Sequence, residues 1–96
     1  MPDELAAVTK LINQDLYALQ WACVFKDEDE GVYYVEINGP KTSGLKSCFS
    51  KDADPLEAAK KALTLWNADN FSSSEDIKEI EQKKINPRII EIAGKK

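Results

Sequence analysis

The strongest hydrophobic pattern in the chain lies at positions 54–66, DPLEAAKKALTLW. Leu56, Ala59, Leu63 and Trp66 recur at helical spacing and form one apolar stripe. Asp54 offers a carboxylate to the free N–H groups of a first turn, and Pro55 stands where its missing donor costs nothing. Glu57, three residues after Asp54, completes a capping-box spacing. This pattern predicts a helix, and its stripe needs a surface to lie on. Upstream the period changes from helical to alternating. Across 19–26, Trp21, Cys23 and Phe25 alternate with Gln20, Ala22, Val24 and Lys26; across 32–38, Tyr33, Val35 and Ile37 alternate with Val32, Tyr34 and Glu36. Both read as strands, with the first-named set of each turned to the core. Residues 44–50, where Leu45 and Phe49 share a face, predict a third strand at a sheet edge.

The flanks carry weaker patterns. Leu5, Val8, Leu11 and Ile12 predict a first helix over 2–13, started by Pro2 and Asp3. Turns are expected at 27–31, where Gly31 supplies unusual backbone angles, and at Asn38-Gly39-Pro40. Residues 75–84 predict a short serine-capped helix with Ile77 and Ile80 as its apolar contacts, ended by Pro87. Ile89, Ile90 and Ile92 make 88–93 β-prone, either a further strand or an extended tail, and 94–96 should fray. The predicted fold is a single α+β domain over 1–96. Its order is α-β-β-β-α, a three-stranded antiparallel sheet packed on the 54–66 helix, followed by a short C-terminal helix and tail.

Composition narrows the chemistry. A chain of 96 residues has room for one domain, and its formal charge of −4 argues against a polyanionic partner, which wants a Lys or Arg at each phosphate. Histidine is absent, which removes the usual general base near neutral pH and the commonest metal ligand. Cys23 and Cys48 are too few for a disulfide framework or a common zinc site. The acidic start MPDELAAV lacks the apolar run of a secretory signal, and no stretch approaches the ~20 apolar residues of a membrane span. The expectation is a cytoplasmic protein with both thiols reduced, no cofactor and no metal.

Several local features invite functional readings. GPKTSGLKS, from Gly39 to Ser47, looks like a phosphate-binding loop with one residue, Leu45, too many between glycine and lysine; the β-prone LKSCFS behind it favours a strand-joining loop. Asp27, Glu28, Asp29 and Glu30 are consecutive, unlike the spaced ligands of a calcium loop, and read as a solvated hairpin tip or a patch for a basic partner. Lys60, Lys61, Lys83, Lys84, Arg88, Lys95 and Lys96 are spread over three elements and mixed with acids, which favours solvated helix surface over a nucleic-acid footprint. Trp21 and Trp66 fall on predicted core faces, so packing outranks base stacking. Ser47, Ser50 and the two cysteines have no evident base, which leaves only a carboxylate site assembled in space around Glu36.

VFKDEDEGVYYVEI, followed by PLEAAKKALTLW, resembles the HicB-type antitoxins, which have a strand, an acidic turn, a strand reading like YYVE and then a helix. Where that family has a proline-rich stretch, NGPKTSGLKSCFS stands here, and no site residue carries over. The order of elements also looks like a double-stranded-RNA-binding domain, although Asp52, Asp54 and Glu57 replace that family's lysine-rich start of the last helix. The HicB resemblance implies binding to a protein partner without catalysis. The expected function is therefore a small regulatory or inhibitory protein, antitoxin-like or a phage-type inhibitor. The alternatives are a nucleic-acid-binding module and an enzyme subunit that needs a partner. The expected contacts are Asp27, Glu28, Asp29 and Glu30 at the tip, and an exposed sheet face around Gln20, Val24, Tyr34 and Glu36.

Overall fold

In the computed structural model, which describes residues 3–85 and 87–96, the chain runs α1 (Asp3–Asp15), β1 (Trp21–Asp27), β2 (Val32–Lys41), β3 (Gly44–Asp52), α2 (Pro55–Asn67), α3 (Ser74–Lys83) and β4 (Ile90–Ala93). The class is α+β, as the patterns predict, and the sheet is antiparallel with order β3-β2-β1-β4. It has four strands where three were expected. Residues 90–93 pair with β1, from Val24 opposite Ile90 to Trp21 opposite Ala93. As predicted, β3 is an edge. The expected helix start at Pro2 lies outside the described residues.

Helices α1 and α2 cover one face of the sheet. Val8, Ile12 and Leu16 from the first helical segment meet Ala58, Ala59, Ala62, Leu63 and Trp66 of α2 over Ala22, Val24, Val35, Ile37, Cys48 and Ile92. The 54–66 stripe therefore docks as its sequence implies, and alanines on its inner face add to the contact. Asp54 caps α2 by accepting from the Leu56 N–H at 3.1 Å. The capping box expected with Glu57 does not form: Glu57 pairs with Lys60 at 3.5 Å, and the Asp54 N–H donates to Asp52 Oδ1 at 2.9 Å. A reciprocal box does form on α3, where Ser73 and Asp76 each accept from the other's backbone, at 3.2 and 3.1 Å.

The pairing of β1 with β2 corrects the predicted faces. Trp21 lies opposite Asn38 and Val24 opposite Val35, so odd residues of β1 share a face with even residues of β2. The two sets assigned to the core, Trp21-Cys23-Phe25 and Tyr33-Val35-Ile37, thus point to opposite sides. The α1–α2 side takes Ala22 and Val24 with Val35 and Ile37; α3 covers part of the other side, setting Ile80 against Phe25 and Tyr34. Trp21, expected in the core, is 39% exposed.

Two junctions depend on close approach. Strand β2 continues through Asn38, Gly39 and Pro40, and the chain turns instead at Thr42 and Ser43, with Lys41 opposite Gly44. Gly39 has φ 146°, and a Cβ there would stand 2.8 Å from the Gln20 Cα. Residues 94–96, expected to fray, are tied down. The N–H groups of Gly94, Lys95 and Lys96 donate to the carbonyls of Gln20, Asn13 and Leu16 at 2.9, 3.0 and 3.0 Å.

Candidate protein-binding surface at the acidic turn

The acidic turn is a hairpin tip whose four carboxylates fall into two pairs. Asp27 closes β1 and holds the turn, accepting from the N–H groups of Asp29 and Glu30 at 3.0 and 3.4 Å. Its other oxygen meets Lys83 Nζ at 2.9 Å, and only 9% of its side chain is exposed. Glu30 lies between Lys51 at 3.3 Å and Lys83 at 3.4 Å. The Lys83 ammonium beside Asp27, and the Lys51 ammonium beside Glu30, hold both carboxyls below the ordinary carboxylate range; the same contacts raise Lys83. Glu28 and Asp29 stay outside this network. The side chain of Glu28 is 82% exposed and pairs with Lys26 at 3.9 Å, while Asp29 is exposed.

Beside the tip is an open cleft of about 490 Å³, lined by Lys26, Asp27, Glu28, Asp29, Gln82, Lys83 and Pro87. One wall is the turn and the other is the end of α3. Glu28 and Asp29 thus stand at the rim of a concavity whose own cations are Lys83, engaged by Asp27 and Glu30, and Lys26, in a long contact with Glu28. Such an arrangement favours an incoming Lys or Arg from a partner.

The sheet-face residues expected beside the tip are not exposed: Gln20 is 8%, Val24 1%, Tyr34 0% and Glu36 3% accessible. They also do not form one surface. Gln20 is a strut, its amide accepting from the Tyr17 N–H and donating to the Pro40 carbonyl, both at 3.0 Å. Val24 lies under α1 and α2, on the opposite side of the sheet from Tyr34 and Glu36. Tyr34 is stacked on Phe25 with centroids 5.2 Å apart and planes 6° from parallel, and Phe49 flanks it at 6.0 Å. Glu36 pairs with Lys84 and accepts from the Asn38 amide at 3.2 Å. Burial opposes charge on Lys84, but its contact with Glu36 outweighs that and raises its pKa. For Tyr34 and Glu36 the physical cause of the correction is α3 and Lys84 just after it, whose placement over the second face no short-range pattern encodes; Val24 is buried because its side of the sheet is the one that α1 and α2 cover.

Lys83 and Lys84 are the residues that sequence reasoning missed, having been read there as helix surface. Their signal was faint: two cations three and four residues after Ile80 share its helical face. The other lysines of that set include Lys60, on Glu57, and Lys61, on Asp52 at 2.7 Å. Neither belongs to a basic stripe.

The two thiols are not activated as nucleophiles. Cys23 and Cys48 are buried and unpaired with each other, and burial pushes both thiols up, Cys48 to about 12. Ser47 Oγ donates to Asn38 Oδ1 at 2.6 Å. Gly39 to Ser47 forms a β-hairpin rather than a phosphate cradle before a helix. Among the described residues no three Cys, Asp or Glu side chains gather as metal ligands, and no helix is long and apolar enough to cross a membrane. No protein-family model, curated protein or solved structure matches this chain.

Proposed function

We propose that this chain is a small non-catalytic regulatory or inhibitory protein that acts by binding the basic surface of another protein. The contact is the acidic tip. One observation carries this reading: the chain's own lysines engage Asp27 and Glu30 closely, while Glu28, whose contact with Lys26 is long at 3.9 Å and solvent-exposed, and exposed Asp29 stand at the rim of a cleft. Asp27 and Glu30 therefore set the shape of the tip, and Glu28 and Asp29 are its recognition charges. Exposed carboxylates of this kind steer encounter more than they add affinity. An antitoxin-like mode, in which a compact domain occupies a cationic effector, agrees with the size, the charge of −4 and the absence of histidine.

The test is a paired substitution, Glu28→Gln with Asp29→Asn, which leaves the lysine-bound acids alone. Proteins retained from the producing cell by immobilised wild type and variant are compared, alongside titrations with duplex RNA and duplex DNA. The expected result is a protein partner that associates more slowly with the variant and with less dependence on salt. A nucleic-acid-binding module would behave oppositely, because removing two negative charges raises affinity for a duplex. A variant indistinguishable from wild type toward every partner would refute the tip as the contact.

A further inference from the structure

Helix α3 is held differently from α2. Of its residues only Ile80 is buried, whereas α2 buries Pro55, Ala58, Ala59, Ala62, Leu63 and Trp66. The rest of its attachment is ionic: Lys83 engages Asp27 and Glu30, and Lys84, which follows the last turn, engages Glu36. Residues 80, 83 and 84 share one helical face, so a single edge of the segment makes all these contacts. Beneath it is a sheet face with an aromatic centre, Phe25, Tyr34 and Phe49, bordered by the carboxylates of Asp27, Glu30 and Glu36. The face is complementary to an apolar side chain followed three and four residues later by two cations, and α3 shows that chemistry in place.

We propose that α3 is a detachable cover, and that the sheet face beneath it docks a partner's helix of the same chemistry: an apolar anchor followed, three and four residues on, by Lys or Arg. Elements with few buried apolar contacts open at lower free energy than the rest of a domain. Screening lowers that free energy further where the pairing is partly exposed, as it is between Lys83 and Glu30. When α3 lifts, Glu36 loses its lysine, and an incoming cation restores the pair. The partner's apparent affinity is then reduced by the fraction of molecules still covered, so α3 acts as an autoinhibitory segment. This docking stands apart from the contact at Glu28 and Asp29 and does not require it.

Amide hydrogen exchange on the full chain is the first arm of the test. The α3 amides should exchange at least about ten-fold faster than those of α2, and faster still when salt rises from about 0.1 to 1 M. The second arm uses a labelled peptide with this chain's own 73–84 sequence as the probe. It should bind an Ile80→Asp protein, whose own α3 is released, about ten-fold more tightly than wild type, since the covered fraction has been removed. The same peptide with both terminal lysines replaced by glutamate should not bind. Protection of α3 equal to that of α2 and indifferent to salt would overturn the proposal. So would equal peptide binding to the two proteins. Global unfolding of Ile80→Asp, seen as loss of α2 protection, would also overturn it, because α3 would then be part of the core.

Discussion

Adding one methyl group at Gly94 tests the C-terminal junction directly. Gly94 follows β4 and is buried against the chain that leaves α1. A Cβ built there would stand 2.3 Å from the Tyr17 carbonyl oxygen, 2.5 Å from that of Leu16 and 2.7 Å from the Leu16 carbonyl carbon. All three are backbone atoms, so no side chain can swing aside. Gly94→Ala must push the tail away from α1, which puts at risk the hydrogen bonds to Gln20, Asn13 and Leu16. Each is worth about 1 kcal/mol net. If the tail moves, up to three of these are lost; if it stays, the clash itself costs about 1–3 kcal/mol. Alanine's stiffer unfolded chain returns about 0.4–1 kcal/mol. The expected net loss is about 1–2.5 kcal/mol, a sizeable part of the roughly 5–15 kcal/mol available to a domain. Urea melts followed by tryptophan fluorescence would measure it, with Gly31→Ala as the control. Gly31 has φ 69° and nothing within 4 Å of its added Cβ, so only the left-handed backbone is penalised there, by about 1 kcal/mol. A Gly94→Ala protein within about 0.5 kcal/mol of wild type would refute the reasoning.

Leu63→Ala should cost about 2–5 kcal/mol, because Leu63 is buried in the α2 interface, while exposed Lys60→Ala should lie within about 0.5 kcal/mol of wild type; equal small effects in denaturant melts would mean that the stripe is not the docking face. Both thiols should be free by mass spectrometry under non-reducing conditions and should react with alkylating agents only on unfolding, since Cys23 and Cys48 sit on non-adjacent strands and opposite faces of the sheet. A native disulfide would contradict the strand order. Acidification should loosen α3 before α2. Asp27 faces Lys83 and the N–H groups of Asp29 and Glu30, and Glu30 faces Lys51, Lys83 and the Tyr34 hydroxyl; both carboxyls titrate lower folded than unfolded. Their stabilisation is present above the unfolded range near pH 4 and is lost as pH falls through the depressed folded values. Amide signals that disappear from α2 first, or from both helices together, would contradict this order.

What was legible from sequence was whatever rests on short-range periodicity with a physical stop at each end. The 54–66 stripe, its Asp54 cap and Pro55, the 27–31 turn and the alternation of β2 all depend on neighbours a few residues apart, and each is found in place. The C-terminal run carried the right signal, three isoleucines, but its pairing with β1 joins residues about seventy positions apart, which no local pattern specifies. The same limit explains the face error. In β1 the larger side chains, Trp21 and Phe25, look like the core set, yet the surface under α1 and α2 takes Ala22 and Val24. Bulk misled because the second face is partly covered as well, by α3 over Phe25 and Tyr34, and alternation distinguishes inside from outside only when one face is wet. The candidate site followed the same division. The tip was visible as four consecutive acids, but its separation into structural Asp27 and Glu30 and largely exposed Glu28 and Asp29 depends on Lys51 and Lys83, which approach from other elements. Sequence could place the charge at the tip; only the fold could decide which carboxylates the chain's own lysines hold closely.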